Sequence, residues 1–116
     1  MAQYFQGNFG IDQGEVTPFS DFENNGPMWV GTGTREVRTR IPFEVAFALP
    51  PIVHVSVTMW DVAAEAATRL DVGAEEIDQK GFTLRVRTWS DSRIARVRVA
   101  WLAFGACRDD EMWEVG

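Results

Sequence analysis

From Val37 onward the hydrophobic positions recur every second residue. Val37, Thr39 and Ile41 alternate with Arg38 and Arg40. Val53, Val55, Val57 and Met59 alternate with His54, Ser56 and Thr58. Leu70, Val72 and Ala74 alternate with Arg69, Asp71, Gly73 and Glu75. Phe82, Leu84 and Val86 alternate with Thr83, Arg85 and Arg87, and Val97, Val99, Trp101 and Ala103 with Arg96, Arg98, Ala100 and Leu102. A period of two sends the two sets of side chains to opposite faces of an extended chain, so each run reads as a half-buried strand. Ile11 to Phe19 adds a weaker sixth, with Pro18 suited to a strand edge or end. Connections are short and no repeat is present, which predicts an all-β fold: a six-stranded antiparallel β-sandwich in a single domain. Two stretches break the pattern. Phe22 to Gly33 carries Asn24-Asn25-Gly26-Pro27 and Gly31-Thr32-Gly33 and is read as loop. Val62 to Thr68 is Ala-rich but too short for a stable helix, so it is read as a loop with at most one helical turn.

The hairpin between the fourth and fifth strands sets a register. With Ile77 opposite Gly81 and Asp78-Gln79-Lys80 as the loop, Gly81 is expected at a bulge needing a positive φ. Asp71 then faces Arg87, Gly73 faces Arg85, Glu75 faces Thr83, and Arg69 faces Trp89. A slip of one residue would turn Arg85 and Arg87 into the core, which an apolar interior does not accept. Arg69 opens one strand and Trp89 closes its partner, so both fall at one sheet edge, beside the loop Ser90-Asp91-Ser92-Arg93. An aromatic plane, a fixed cation and short hydroxyl or carboxylate side chains are what a sugar site needs: the ring packs on the C–H face of a hexose and the polar groups receive its hydroxyls. The competing reading is a purely structural Arg–Trp contact of ~0.5–1 kcal/mol.

Length, charge and cysteine use narrow the classes. A chain of 116 residues fits one domain, expected over residues 11–105, with an aromatic, Gly/Gln-rich arm at 1–10 and an acidic tail with Trp113 at 106–116. A net charge of −6 argues against nucleic acid as a partner. The cations are ten Arg and one Lys, a bias toward planar, paired sites over solvated surface. The outward residues His54, Ser56, Asp71, Glu75, Arg85, Arg87, Arg96 and Arg98 therefore have two readings: a solvated face with cross-strand ion pairs, or a face packed on sister subunits. Cys107 is alone, so no intrachain disulfide forms, and little nearby would activate it as a nucleophile. No basic and apolar leader marks a signal peptide, and no apolar run approaches ~20 residues, so no membrane insertion is expected. Localisation is thus cytoplasmic, particle-associated or by a non-classical release route. His54 is the only histidine. No nucleophile–His–acid grouping and no Cys/His metal spacing is evident, and Asp61 and Asp91 suit loop caps. An enzyme, a metal and a cofactor are not expected.

The order W-D-x7-R at Trp60-Asp61 and Arg69, G-F-T-L-x-x-x-T-W-x-D-S-x-x-A from Gly81 to Ala95, and V-x-W-L-A-F-G from Val99 to Gly105 resembles the H-type lectin domain. Phe43 with Pro50-Pro51, Gly14 and Trp29 extend the resemblance over about residues 11–105. The resemblance implies a six-stranded antiparallel β-sandwich that assembles as a homotrimer or a higher multiple. It also implies metal-free recognition of galactose or N-acetylgalactosamine at clefts between subunits, a role in cell adhesion among its uses. Carried over by position, the sugar-contacting arginine falls on Arg69, the stacking tryptophan on Trp89 and the polar residue after it on Ser90, with Asp91 beside them. Two departures stand out. An N-terminal-loop aspartate that holds sugar hydroxyls has no match in a shorter loop, where Thr32 lies nearest and Asp21 or the backbone of Gly31 and Gly33 are the substitutes. An aromatic residue shortly after the tryptophan motif is here Ala95. The alternative function is a non-enzymatic structural or adhesion knob of a larger fibre or particle, with a degenerate sugar site.

Overall fold

The structure is a computed structural model that describes residues 2, 7–22 and 24–107. The acidic tail from residue 108 on, and all of the N-terminal arm except 2 and 7–10, lie outside the described residues. In chain order the elements are β1 (Phe9–Ser20), α1 (Pro27–Val30), β2 (Arg35–Pro42), β3 (Ile52–Val62), β4 (Asp71–Glu75), β5 (Gly81–Thr88) and β6 (Ile94–Ala106). One antiparallel sheet runs β1-β6-β3 and the other β2-β5-β4. The predicted six-stranded sandwich is the observed one.

β5 and β6 are the central strands, and their inward residues form the middle of the core. Phe82, Leu84 and Val86 from β5 and Ile94, Val97, Val99 and Ala103 from β6 have no solvent exposure. Each large apolar side chain so buried contributes about 1.5–3 kcal/mol. Edge strands cover this centre with Val37, Val53, Val55, Val57 and Val72, all partly buried. At one end Phe43, Phe47, Phe82 and Trp101 close the sandwich, with Phe43–Phe47 at 5.1 Å and Phe82–Trp101 at 5.5 Å between ring centroids, both edge-on. Gly14 pairs with Trp101 across β1 and β6. A Cβ at Gly14 would stand 2.8 Å from the indole nitrogen, so the ring needs that position bare.

The β4–β5 register is the one expected: Asp71 opposite Arg87, Gly73 opposite Arg85 and Glu75 opposite Thr83. The turn chemistry differs. Gly81 does not take a positive φ; that conformation falls on Glu76, at 50°. The Asp78 carboxylate closes the loop instead, accepting the N–H groups of Lys80 at 2.8 Å and Gly81 at 3.0 Å. Gly81 is needed because a Cβ would run into the Ile41 carbonyl of β2. Val62 still belongs to β3, residues 63–68 are turn and coil without a helical turn, and the single helical turn among the described residues lies in the 22–33 loop as α1. Pro27 opens that turn, where its missing N–H costs nothing, and the Asp21 carboxylate accepts the Met28 N–H at 3.0 Å. Pro18 sits on the edge strand β1 within a register shift between Val16 and Phe19.

The outer face of β2-β5-β4 is a lattice of ion pairs. Arg38 reaches Glu75 at 3.2 Å and also Glu76, while Arg85 reaches Asp71 at 2.8 Å and Glu75 at 3.2 Å. Arg40 joins Asp78 at 2.6 Å. These pairs form within the chain, between neighbouring strands and with the turn that joins β4 to β5.

Candidate functional site

At the end of the sandwich away from the aromatic cluster, β1 and β3 finish, β2 and β4 begin, and β5 hands over to β6. Three loops meet there: 21–34, 63–70 and 89–93. The ladder stops two residue pairs short of the expected Arg69–Trp89 pair, since its last pair is Asp71 with Arg87. Two buried hydroxyls take over from the ladder. Thr88 donates to the Arg69 carbonyl. Ser92 accepts the Arg69 N–H at 2.8 Å and donates to the Ala67 carbonyl at 2.6 Å. Neither side chain has solvent exposure. Arg69 is thus held by its backbone, and its guanidinium is free to reach outward to Asp91 at 2.9 Å.

Trp89 is 37% exposed, and the cation nearest its ring is Arg87, 5.8 Å from the centroid. Arg69 therefore contributes through its pair with Asp91 rather than by lying on the indole. Ser90 has a φ of 62°, a left-handed conformation rare for a non-glycine residue. Its carbonyl accepts the Gly33 N–H at 2.9 Å, and this bond brings the Gly31-Thr32-Gly33 loop against the Trp89–Asp91 loop. Gly33 has a φ of 76°, which explains glycine there. The structure thus gathers Arg69, Trp89, Ser90, Asp91, Gly31 and Thr32 at one end. Thr32 and Asp91 face solvent. The Gly31 N–H is bonded to the Pro27 carbonyl at 2.9 Å and the Gly33 N–H to Ser90, so both are committed within the loops. Asp21 serves the α1 turn. Ala95 itself offers no ring, and with Ser20, Phe22, Asp61 and Arg96 it lines a cleft of about 210 Å³.

Sequence reasoning missed several supports of the site. Arg35 and Thr88 share the inward parity of Val37 and of Phe82, Leu84 and Val86, so a polar residue at an inward position was the available signal. Arg93 lies over Trp29, 4.4 Å from the ring centroid, and donates to the Trp29 carbonyl at 3.1 Å. Phe22 meets the same indole edge-on at 5.2 Å. Nothing in the periodicity foretold that contact.

The loop end of this β-sandwich thus carries a cluster of one aromatic ring, a cation and a carboxylate. The H-type lectin domain family matches residues 38–104, and the chain belongs to that family. Over 106 residues it is 47% identical to the "ATP synthase subunits region ORF 7" protein of Fuscovulum blasticum, covering 91% of this chain and 92% of that protein. Among solved structures it is similar to recombinant discoidin II of Dictyostelium discoideum, with 26% identity, a TM-score of 0.74 and 84% of this chain covered. Wild-type discoidin II gives 25% identity, a TM-score of 0.75 and 85% coverage. This chain spans 37% of the discoidin II chain in each.

Proposed function

We propose that this domain is a carbohydrate-binding lectin that takes galactose- or N-acetylgalactosamine-type glycans at the corner of Arg69, Trp89, Ser90 and Asp91. The observation that carries the reading is the pairing of an exposed indole with an outward Arg69–Asp91 pair on one loop end. The indole offers a flat apolar face to sugar C–H groups. The guanidinium donates to ring hydroxyls and the carboxylate accepts from them. No step of bond making is needed, so the reading is binding, not turnover. One open corner is shallow, and we infer that a neighbouring subunit of a homotrimer supplies the second wall, with Thr32 and Gly31 on the rim. Weak single sites then act together through multivalency.

The test is binding to a glycan array, with the oligomer read by analytical ultracentrifugation. The expected result is a trimer that binds galactose-type glycans, with Trp89→Ala losing the signal while the trimer and fold persist. A flat array for the wild-type protein at high concentration overturns the reading. The second reading, a structural knob with a degenerate site, has one observation behind it. The Gly31 and Gly33 N–H groups and the Asp21 carboxylate, the substitutes for the family's loop aspartate, are all bonded internally. A stable trimer that binds no glycan and travels with a fixed protein partner is its signature.

A further inference from the structure

Arg35 opens β2 with its side chain turned inward, 8% exposed. A buried guanidinium ordinarily sits on a carboxylate. Here every bond goes to a backbone carbonyl. Its Nε donates to Gly33 at 2.9 Å, one terminal nitrogen to Pro27 at 3.3 Å and Met28 at 3.4 Å, and the other to Ser90 at 3.1 Å. Among the described residues no carboxylate comes within ion-pair distance. Burial pulls its pKa below the ordinary arginine value.

The four acceptors belong to two separate loops. Pro27, Met28 and Gly33 lie on the loop before β2, and Ser90 lies on the loop after β5, 55 residues away. The same Ser90 carbonyl also accepts the Gly33 N–H. Gly33 and Ser90, both with left-handed backbone, are thus joined to each other and both held by Arg35. Only a planar fork with five donors in fixed directions reaches carbonyls on both sides at once; an ammonium group does not. Gly31 fits the same plan, because a Cβ there would stand 2.6 Å from Arg35 Cδ and 2.5 Å from the Pro27 carbonyl oxygen.

We propose that Arg35 is a positioning residue that fixes the spacing between the Gly31-Thr32-Gly33 wall and the Trp89-Ser90 wall, and so sets which sugar the corner accepts. It touches no ligand itself. The inference rests on the proposed lectin site. Its substance is that the guanidinium, not merely a buried side chain of that volume, holds the two loops in register. Arg35→Met keeps much of the volume without any donor, and Arg35→Lys keeps the charge without the fork.

The experiment joins amide hydrogen exchange to binding of galactose and N-acetylgalactosamine conjugates, on the wild-type protein and both variants. In the unliganded wild type the Gly33 amide is expected to be protected, since it is bonded to Ser90. In the variants that protection falls while β5 and β6 amides stay protected. Binding weakens at least about tenfold, the loss of one well-placed hydrogen bond to the sugar, and the preference between the two conjugates shifts. A Gly33 amide in the wild type that exchanges like exposed coil overturns the clamp without recourse to any variant, so unfolding of a variant does not shield the proposal. Variants that bind as the wild type does, or that retain Gly33 protection, overturn it as well. If the wild-type protein binds neither conjugate, the lectin reading fails, and Gly33 protection still decides whether Arg35 clamps the loops.

Discussion

Ser92→Ala removes one hydroxyl and two hydrogen bonds. The hydroxyl is fully buried and bridges the Arg69 N–H at 2.8 Å and the Ala67 carbonyl at 2.6 Å. A buried backbone group left without a partner costs about 1–3 kcal/mol. Ala67 is on the exposed side of its loop, and water can replace part of what its carbonyl loses. The lower end of that range for each group gives about 2 kcal/mol in total. At roughly 2.1 cal/mol/K of unfolding entropy per residue, each kcal/mol moves the midpoint of a domain of this size by about 4 °C, so the melting temperature is expected to fall by about 8 °C. The effect is also local, since Arg69 loses the anchor that starts β4. Differential scanning calorimetry at fixed protein concentration reads the first effect; fixing concentration removes any contribution from assembly. Binding of galactose conjugates reads the second, and it should weaken more than the stability loss alone accounts for. For stability alone, Ser90→Ala, which removes an exposed hydroxyl from the neighbouring loop position, is the calorimetric control and should stay within about 0.5 kcal/mol. A Ser92→Ala protein that melts within a degree or two of the wild type refutes the claim that this hydroxyl holds the corner.

Other outcomes follow from the same geometry. Gly81→Ala drives a methyl group into the Ile41 carbonyl and prises β2 from β5, with an expected loss of about 1–3 kcal/mol in urea denaturation; an unchanged midpoint would refute the close approach. Acid should loosen the β2-β5-β4 sheet. The Asp78 carboxyl is held below its ordinary 3.8 by the Lys80 N–H and then Gly81 and Arg40, and that of Glu76 below 4.5 by its bond to Arg38. Folded values below unfolded ones give stability above those ordinary values, lost as pH falls through the lowered ones. The denaturation midpoint should drop below about pH 4.5, with a shallower drop in a Glu76→Gln/Asp78→Asn variant; equal slopes in the two proteins would show that these carboxylates carry none of it.

How much of this was legible beforehand varies by residue. Val37 to Ile41, Val53 to Met59, Phe82 to Val86 and Val97 to Ala103 alternate without interruption, and alternation is a local property of the chain, so the strands and their buried faces could be read directly. The β4–β5 register followed from the short hairpin loop and from parity, since a slip of one residue would turn Arg85 and Arg87 into the core. That placed Arg69, Trp89, Ser90 and Asp91 at one sheet end. The shortfalls lie where the answer depends on partners distant in sequence. The left-handed turn residue is Glu76 instead of Gly81 because Asp78 closes the loop and Ile41 crowds Gly81 from another strand.

The sequence by itself determined the six strands, which face of each is buried, and which polar side chains gather at the loop end, since all of these depend on neighbours two residues apart or on one short hairpin. The tertiary structure decided how that end is held. Arg35 bonds Ser90 across a separation of 55 positions, Arg93 covers Trp29 across one of 64, and Arg69 turns to Asp91 while Arg87 takes the place beside Trp89. Those choices are made by loops meeting in space, where directional hydrogen bonds between distant carbonyls and guanidinium groups settle a geometry that no local period encodes.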